Sequence, residues 1–363
     1  MEEALYITQL ADGSTLYNGA PKEDERFKQV GELIDIEGKT DVKTGPLGPL
    51  KFIGKIKKST VVRWSKAVVK DGEDKITIYY QNPTPGKEIL VTGQKFPVKT
   101  GRDKMNFISL MLALFFGTAA LPHILIRYYT VSSPAAARKS TIVAILAIGL
   151  FYILTLFMGL GSMTSGVLDL TNSNMAAPLL ARSFSTAIFA IISAVAFATV
   201  LGTVSGLIVA SSGAVVHDLV SKFSKKGISE KQEVSIGKLA AVAVGGVAII
   251  LGILFEGMNV SFLVGWAFAV AASANLPAII MVLFWKGTTA KGVIASISVG
   301  LVSAMTIILL SQTTFDNVYH LVGVKAPMPI DNPAIISVPL SFITLVVVSL
   351  LTKKTSHKGT MEK

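Results

Sequence analysis

Two threonines and a glycine in a long apolar segment are the residues best suited to bind an alkali cation. Thr199 and Thr203 lie four positions apart, which places both side chains on one face of a helix, and Gly202 lies between them. Hard cations prefer carbonyl and hydroxyl oxygens as ligands, so this face could supply part of a sodium site. The alternative is that the hydroxyls donate hydrogen bonds to their own helix backbone.

Two prolines in apolar segments mark candidate helix breaks. Pro122 cannot donate a hydrogen bond to the carbonyl of Thr118, and Gly117 adds backbone freedom nearby. Pro277 removes the donor to the carbonyl of Ser273 in the same way. Unpaired carbonyls inside a membrane are tolerated where they line a cavity or find another donor. Each proline therefore predicts either a discontinuous helix beside a binding site or an ordinary kink packed against neighbouring helices.

The residue types that are absent exclude several kinds of chemistry. The chain has no cysteine, which excludes disulfides, thiolate metal sites and cysteine nucleophiles. No Asp, Glu, Lys or Arg lies near the middle of any apolar segment, which argues against a carboxylate proton relay or an intramembrane aspartate protease. Asn275 must find a partner in the bundle, either a neighbouring helix or a ligand. We therefore expect a protein that is not an enzyme and has no cofactor.

Composition places most of the chain in a membrane. Of its 363 residues, 51% are hydrophobic and only 16% are charged, whereas soluble domains have about 25% charged residues. A spanning helix needs about 20 mostly apolar residues. Seven segments meet this requirement, at residues 106–126, 141–163, 184–216, 239–255, 260–285, 293–312 and 333–352. The sequence predicts an all-α polytopic membrane domain of seven spans over residues 106–352.

Residues 1–105 have a different character. They contain 18 Lys and Arg and 15 Asp and Glu, and turn signals at residues 10–14 and 70–74 lie between segments typical of β-hairpins. We predict strands at residues 4–9, 15–18, 60–69, 75–81 and 88–92, a weak helix over residues 23–33, and a loop at residues 45–49. This is a small β-rich extramembrane domain with no catalytic constellation.

Basic residues indicate the orientation of the chain. They cluster in the short loops after the first, third and fifth spans and in the tail at residues 353–363, and cytoplasmic loops carry such an excess of Lys and Arg. We therefore expect a multi-pass protein of the cell (plasma) membrane, with the N-terminal domain outside and the C-terminal tail in the cytoplasm. Clusters of this kind orient membrane proteins, and we expect no nucleic-acid partner.

Several ordered blocks resemble the sodium:solute symporter family, and more narrowly its cation/acetate symporter (acetate permease) branch. The blocks are FFGTAALPHILIRYYT at residues 115–130 with AAARKS at residues 135–140, NMAAPLLA at residues 174–181, residues 192–201, and VGWAFAVAASANLP at residues 264–277. The resemblance covers essentially residues 106–352. It implies the second half of an inverted-repeat (LeuT-like) transporter fold, in which ion and substrate bind near the membrane midplane beside broken helices.

The resemblance also implies roles for individual residues. The sodium ligands would be Thr199, Gly202 and Thr203. Gly202 stands where the family has a hydroxyl side chain, so one ligand oxygen must come from elsewhere. Arg127, at the inner edge of the first span, would act as a gate or anchor. The substrate-binding residues would lie around the two predicted breaks, at Gly117, Thr118, Ala119, Leu121, Ser273 and Asn275.

We interpret the chain as a component of a secondary-active symporter. It would couple entry of sodium ions or protons to uptake of acetate or a related short monocarboxylate by alternating access. Core helices one to five of the family fold have no counterpart here, so we expect a C-terminal part of a longer or split transporter, with the missing N-terminal half as a partner. The alternatives are a non-functional truncated remnant and a membrane sensor that uses the symporter fold.

Overall fold

The computed structural model describes most of the chain, namely residues 5–10, 12, 14–21, 29–40, 43–72, 74–91, 98–125, 128, 130–216, 229–256, 258–321 and 323–356. The chain folds into two compact units. The first comprises Met1–Gln94 and Lys139–Ala198, and the second comprises Lys95–Arg138 and Thr199–Lys363.

An antiparallel β-sheet forms the N-terminal part of the first unit. Its six strands are β1 (Leu5–Gln9), β2 (Thr15–Tyr17), β3 (Ala20–Pro21), β4 (Leu33–Asp35), β5 (Thr60–Asp71) and β6 (Asp74–Pro85), in the order β3-β2-β1-β6-β5-β4. The β1–β2 and β5–β6 pairs confirm the two predicted hairpins. Strands β5 and β6 pair along their whole length, from Thr60 opposite Pro85 to Asp71 opposite Asp74.

Two short helices in this unit correct the sequence reading. Helix α1 (Pro49–Lys57) begins where we predicted only a loop, with Pro49 in the first turn, a position that proline favours. Helix α2 (Gly86–Ile89) replaces the strand predicted at residues 88–92. A β-carbon on Gly86 would overlap the carbonyl of Ile56, so only glycine lets α2 pack this closely on α1. Tertiary contact, rather than local propensity, ends the strand at Pro85.

The prediction of a weak helix over residues 23–33 is also wrong in the part of this range that the structure describes. Residues 23–28 lie outside the described residues, and residues 29–33 form no helix but lead into β4 at Leu33. Lys55 of α1 pairs with Glu37 just beyond that strand. The hydrogen bond from Lys55 holds the pKa of the Glu37 carboxyl below its ordinary value.

The sheet and α1 pack on one end of a long spanning helix, α5 (Pro134–Thr164). Leu160 of α5 is buried with Ile56 and Val61 in one apolar cluster. Val30 and Leu168 exchange two backbone hydrogen bonds, with N···O distances of 3.0 and 2.7 Å. With 31 residues, α5 is about 46 Å long, whereas the hydrocarbon core of a bilayer is about 30 Å thick. The extra turns carry the docking surface for the sheet.

In the part of the chain that the structure describes, seven helices are long and apolar enough to span a membrane, which confirms the predicted number. They cover Gly101–Leu125, Pro134–Thr164, Thr186–Ala214, Lys231–Leu254, Val260–Phe284, Ala290–Leu309 and Ala334–Lys353. The first consists of α3 (Gly101–Ala120) and α4 (Pro122–Leu125), and α5 is the second. After the short helix α6 (Ala176–Phe184), the others are α7 (Thr186–Ala214), α8 (Glu230–Leu254), α9 (Val260–Phe284), α10 (Ala290–Leu309) and, beyond the short α11 (Gln312–Asn317), α12 (Ala334–Ser356).

Helices α9, α10 and α12 pack through small residues spaced four apart. On α10 these are Gly292, Ser296, Gly300 and Ala304, all buried. On α12 the buried stripe consists of Ser337, Ser341, Leu345 and Ser349. Small residues let helix backbones approach closely in a membrane, where apolar burial alone gives no preference for a neighbouring helix over lipid. The hydroxyls of Ser296 and Ser341 lie 2.8 Å apart and join the two stripes by a hydrogen bond.

The break expected at Pro277 is not present, because α9 continues through this proline to Phe284. The carbonyl of Ser273, which Pro277 leaves without its usual donor, lies against Gly300 of α10 so closely that a β-carbon there would overlap it. The packed neighbour, rather than a cavity, accommodates the unpaired carbonyl. Pro277 is itself among the fully buried side chains.

Helices α5, α7 and α8 contrast with this packed group. No residue is buried in the most apolar stretch of any of the three, whereas 44% of the corresponding stretch of α9 is buried. Large apolar side chains such as Phe151, Phe197 and Ile249 are well over half exposed. These surfaces are suited to contact with lipid or with further helices.

We expect Gly300→Ala to lower the midpoint of thermal unfolding in detergent, because the new methyl group would occupy the space of the Ser273 carbonyl. Overpacking of this kind costs about 1–3 kcal/mol. Gly246→Ala in α8 is the matched control, since a β-carbon there meets open space and alanine favours a helix over glycine by about 1 kcal/mol. Heating the purified protein and measuring the remaining monomer by size exclusion gives both midpoints. An undiminished midpoint for Gly300→Ala would contradict the close α9–α10 contact.

Candidate functional site

The first spanning helix is discontinuous in the part of the chain that carries the candidate substrate residues. Helix α3 ends at Ala120, and Leu121 has extended backbone angles, with φ −72° and ψ 118°. The carbonyl of Leu121 then accepts hydrogen bonds from the backbone N–H groups of Ile124 and Leu125 and so begins α4. Pro122 has no N–H group to continue the ladder of α3. The last carbonyls of α3 therefore need other donors.

Asn275 of α9 supplies one of these donors. Its side-chain amide donates a hydrogen bond of 3.0 Å to the carbonyl oxygen of Ala120, the last residue of α3. An unpaired carbonyl in an apolar environment costs several kcal/mol, so this bond stabilises the interruption at Leu121. The structure thereby brings together two residues that the sequence separates by 155 positions.

Gly117 lies at the closest approach of α3 to α9. It is buried, and a β-carbon at this position would lie only 2.5 Å from the carbonyl oxygen of Phe268. Its contact is thus with another backbone, a role that the sequence reading did not assign to it. By contrast, Thr118 and Ala119 are exposed, and the Thr118 hydroxyl donates to the carbonyl of Leu114 at 2.7 Å.

Ser273 also has a structural contact. Its hydroxyl lies 2.6 Å from the hydroxyl of Ser337 on α12 and donates to the carbonyl of Ala269 at 2.6 Å. The residue is fully buried. A role for Ser273 in substrate binding stays a prediction, but its hydrogen bonds are those of an interhelical contact.

The three candidate sodium ligands lie together on α7, one turn apart. The hydroxyl of Thr203 donates a hydrogen bond of 2.9 Å to the carbonyl of Thr199, which is the backbone bond that the sequence left open as an alternative. A β-carbon on Gly202 would meet no neighbouring atom within 4 Å. All three residues are exposed. Arg127, the candidate gate, lies outside the described residues.

A second polar cluster, which the sequence reading missed, lies at the N-terminal end of α3. The hydroxyl of Ser109 donates to the backbone carbonyl of Asn332 at 2.7 Å, and the Asn106 amide donates to Asp331 at 3.2 Å. The indole N–H of Trp266 donates to the carbonyl of Asp331 at 2.9 Å. The signal in the sequence was Asp331-Asn332-Pro333, two capping residues and a proline directly before a span. The polar cluster joins α3, α9 and the start of α12.

Beside this cluster the second unit contains a cavity of about 730 Å³. Residues from α3, α9, α11 and the segment at residues 325–332 line it. Among the residues that the structure describes, no three His, Asp or Glu side chains come together as a metal site would require. The described candidate ion and substrate residues offer hydroxyls, an amide and backbone carbonyls as polar groups.

Within the described residues, seven candidate spanning helices, the first of them interrupted at Leu121, define a polytopic membrane protein. Comparison with known proteins agrees. The sodium:solute symporter family matches over residues 64–300, more than half of the chain. The chain belongs to the sodium:solute symporter family, which confirms the resemblance noted in the sequence.

Two relatives show how far the similarity extends. The chain is 41% identical over 266 residues to the "Uncharacterized symporter YwcA" of Bacillus subtilis, a match that covers 71% of this chain and 51% of that protein. It is 45% identical over 265 residues to the "Monocarboxylic acid transporter" of Corynebacterium glutamicum, covering 70% of this chain and 48% of that protein. The chain spans about half the length of the curated relatives it matches.

We expect Asn275→Ala to destabilise the protein by about 1 kcal/mol, because it leaves the carbonyl of Ala120 without its donor; interhelical hydrogen bonds in membranes contribute amounts of this size. Asn174→Ala, at an exposed position near the start of α6, is the control. Thermal unfolding in detergent measures both. Equal midpoints for the two variants would show that the bond to Ala120 contributes nothing to holding the break.

Proposed function

We propose that this chain is part of a secondary-active symporter that couples entry of sodium ions or protons to uptake of a short monocarboxylate such as acetate. The observation that carries this proposal is the interruption at Leu121, held by Asn275. Interrupted helices form the binding sites of many secondary transporters. The substrate class is supported by the relative named as a monocarboxylic acid transporter.

The contacts divide the candidate substrate residues into two groups. Thr118 and Ala119 are exposed beside the break and Leu121 is half-buried within it, so these three are the residues proposed to contact the substrate. The backbone there offers polar groups that a regular helix would use internally. The buried contacts of Gly117 and Ser273, and the bond from Asn275 to the last carbonyl of α3, support a role in positioning the helices that carry the site.

Thr203 is suited to coordinate a cation in spite of its backbone hydrogen bond. A hydroxyl has one proton and two lone pairs. The proton is directed to the carbonyl of Thr199, which leaves the lone pairs of the oxygen for a ligand. Gly202 contributes no side-chain oxygen, so the remaining ligands would come from other helices of the complete transporter.

The proposed cycle is alternating access. Binding of the ion at Thr199 and Thr203 would stabilise the outward-open state, and binding of the substrate beside Leu121 would favour closure. Each ligand can shift the equilibrium only by the difference between its affinities for the two states. Arg127, near the inner end of the first span, is proposed to act as a gate or anchor at the cytoplasmic side.

The placement in the membrane follows from the distribution of charge. We propose that the protein lies in the plasma membrane, with residues 1–105 as an extracytoplasmic insertion and residues 106–352 as the symporter domain. Residues 353–363 would form a basic cytoplasmic tail. The excess of Lys and Arg in alternate loops supports this orientation.

Further core helices would complete the transporter. Helices α5, α7 and α8 have no buried residue in their most apolar stretches, and α7 carries the candidate sodium ligands on exposed positions. We propose that the first five core helices of the fold, supplied by a longer chain or a companion chain, pack on these surfaces and contribute the rest of both sites.

The test is uptake of labelled acetate, with and without a sodium gradient, in cells that lack their own acetate carriers. One arm expresses this chain alone and a second adds the coding sequence directly upstream. We expect uptake only in the second arm, driven by sodium or, with a pH gradient in its place, by protons. Uptake in neither arm would contradict the proposal and favour a remnant or a sensor. Uptake by the chain alone would contradict the need for further core helices.

In a complete transporter, we expect Thr203→Ala to raise the sodium concentration for half-maximal uptake by about tenfold, because loss of one ligand oxygen removes about 1.4 kcal/mol of ion binding. Ser205→Ala, on the opposite side of α7, is the matched control and should leave this concentration unchanged. Surface expression is measured for both variants. An unchanged sodium dependence in Thr203→Ala would contradict the assignment of the ion site.

A further inference from the structure

The cavity beside the N-terminal ends of α3 and α9 lies apart from the proposed transport site. Arg102, which lines it, and Leu121 at the break are both in the first span. Leu110, the lining residue of this span nearest to the break, lies eleven residues before Leu121, which is about 16 Å along the axis at 1.5 Å per residue. The volume of about 730 Å³ falls in the range of small-molecule sites. A ligand bound in this cavity would occupy a site distinct from the break at Leu121.

Hydrogen bonds fix the walls of the cavity. The Gln312 side chain accepts from the backbone N–H of Ala326 at 2.9 Å and donates to the carbonyl of Val324 at 3.0 Å, which ties α11 to the segment that closes one side. Trp266, only 6% exposed, is held by the bond from its indole N–H to Asp331. A site whose walls are already fixed binds a ligand without the cost of ordering them.

The carboxylates of the cavity already accept hydrogen bonds from the protein. Asp103 accepts from the backbone N–H of Thr100 at 2.9 Å, and Asp316 accepts from the side chain of Gln312 at 2.9 Å. Asp331 accepts from both the backbone N–H and the hydroxyl of Thr313, each at 3.0 Å.

The two cations of the cavity, Arg102 and Lys325, are exposed, and Arg102 attracts the neighbouring Asp103 carboxylate without forming an ion pair with it. Within the described part of the chain, the ion pairs are those of Glu37 with Lys55 and Lys58, so neither cation lies within 4.0 Å of a described carboxylate oxygen. Guanidinium and ammonium groups carry only hydrogen-bond donors. Neither cation is held in an ion pair with a described carboxylate, so both can turn their donors to an anion that enters the cavity.

The lining also contains neutral polar side chains, at Asn106, Thr313, Asn317 and Asn332, and an apolar, partly aromatic group formed by Phe107, Leu110, Phe262, Trp266 and Met328. Such a wall favours a ligand with an apolar part next to its charge. A guanidinium group pairs with a carboxylate through two parallel hydrogen bonds. A small carboxylate with an aliphatic chain combines both features.

We propose that this cavity is an entry site that binds short monocarboxylate anions before they reach the break at Leu121. Arg102 and Lys325 hold the carboxylate, and Phe262 and Trp266 contact the aliphatic chain. That the bound anion is also the transported substrate rests on the proposed function. That the cavity binds such an anion rests only on the residues that line it.

The test uses Trp266 as a reporter in the purified full chain in detergent. Trp64→Phe and Trp285→Phe together leave Trp266 as the sole tryptophan. Titration with sodium propionate, against sodium chloride at the same ionic strength and pH 7, should give a saturable change in its fluorescence. Arg102→Gln with Lys325→Gln should raise the dissociation constant about tenfold or more, since charge-assisted hydrogen bonds are lost. Lys291→Gln, away from the cavity, should leave it unchanged.

Three results would overturn the proposal: no saturable response to propionate, an equal response in the double variant, or a response to choline chloride but not to propionate. Equilibrium dialysis of labelled propionate against the chain with all its tryptophans repeats the test, so a folding defect in the reporter variant cannot decide it.

Uptake by a complete transporter separates this proposal from the proposed function. Propionate binding that depends on Arg102 and Lys325, in a protein that moves no monocarboxylate, would support the cavity as an anion site and contradict the transport function. Normal uptake with an unchanged KM in the Arg102→Gln, Lys325→Gln variant would contradict the role as an entry site and leave the transport function standing.

Discussion

Helix α9 approaches two of its neighbours so closely that a β-carbon would not fit at the contact. Gly117 of α3 lies against the backbone of Phe268, and Gly300 of α10 lies against the carbonyl of Ser273. In a membrane, helix association depends on van der Waals contact and interhelical hydrogen bonds, because lipid offers apolar side chains the same environment as another helix. The close backbone contact is therefore the constraint on which the packed part of the second unit depends. It also accommodates the carbonyl that Pro277 leaves unpaired.

The same helix positions both candidate sites of the second unit. Near its start, Trp266 fixes one wall of the cavity through its bond to Asp331. About two and a half turns further on, Asn275 donates to the last carbonyl of α3 and so holds the break. A change in the packing of α9 would move both sites, whereas a change in α7 would affect only the candidate ion ligands. The two ends of the proposed substrate path thus share one rigid element.

Helices α5, α7 and α8 present the opposite situation, because their apolar surfaces are uncovered in this chain. The chain belongs to the sodium:solute symporter family and spans about half the length of the matched relatives. Under the proposed function, further helices of a complete transporter would cover these surfaces. Thr199 and Thr203 offer oxygens from one side only, and an ion needs ligands on several sides. Within the first unit, the β-sheet and α1 cover the end of α5 through Leu160, and Leu168, just beyond this helix, pairs with Val30.

The sequence by itself determined the elements that depend on local pattern. Runs of apolar residues gave the seven spans, turn residues gave the two hairpins, and the ordered blocks around Pro122 and Asn275 gave the family. Tertiary structure decided what depends on contacts between distant residues. The hydrogen-bond partner of Asn275 is 155 positions away in the sequence, and Ser109 donates a hydrogen bond to Asn332, which is 223 positions away. Pro277 predicts a lost hydrogen bond, but α9 continues through it, and the freed carbonyl of Ser273 packs against Gly300 of another helix. Local sequence preferences do not include contacts with neighbouring helices. A proline in an apolar helix therefore coincides with a break at Pro122 and with an unbroken helix at Pro277.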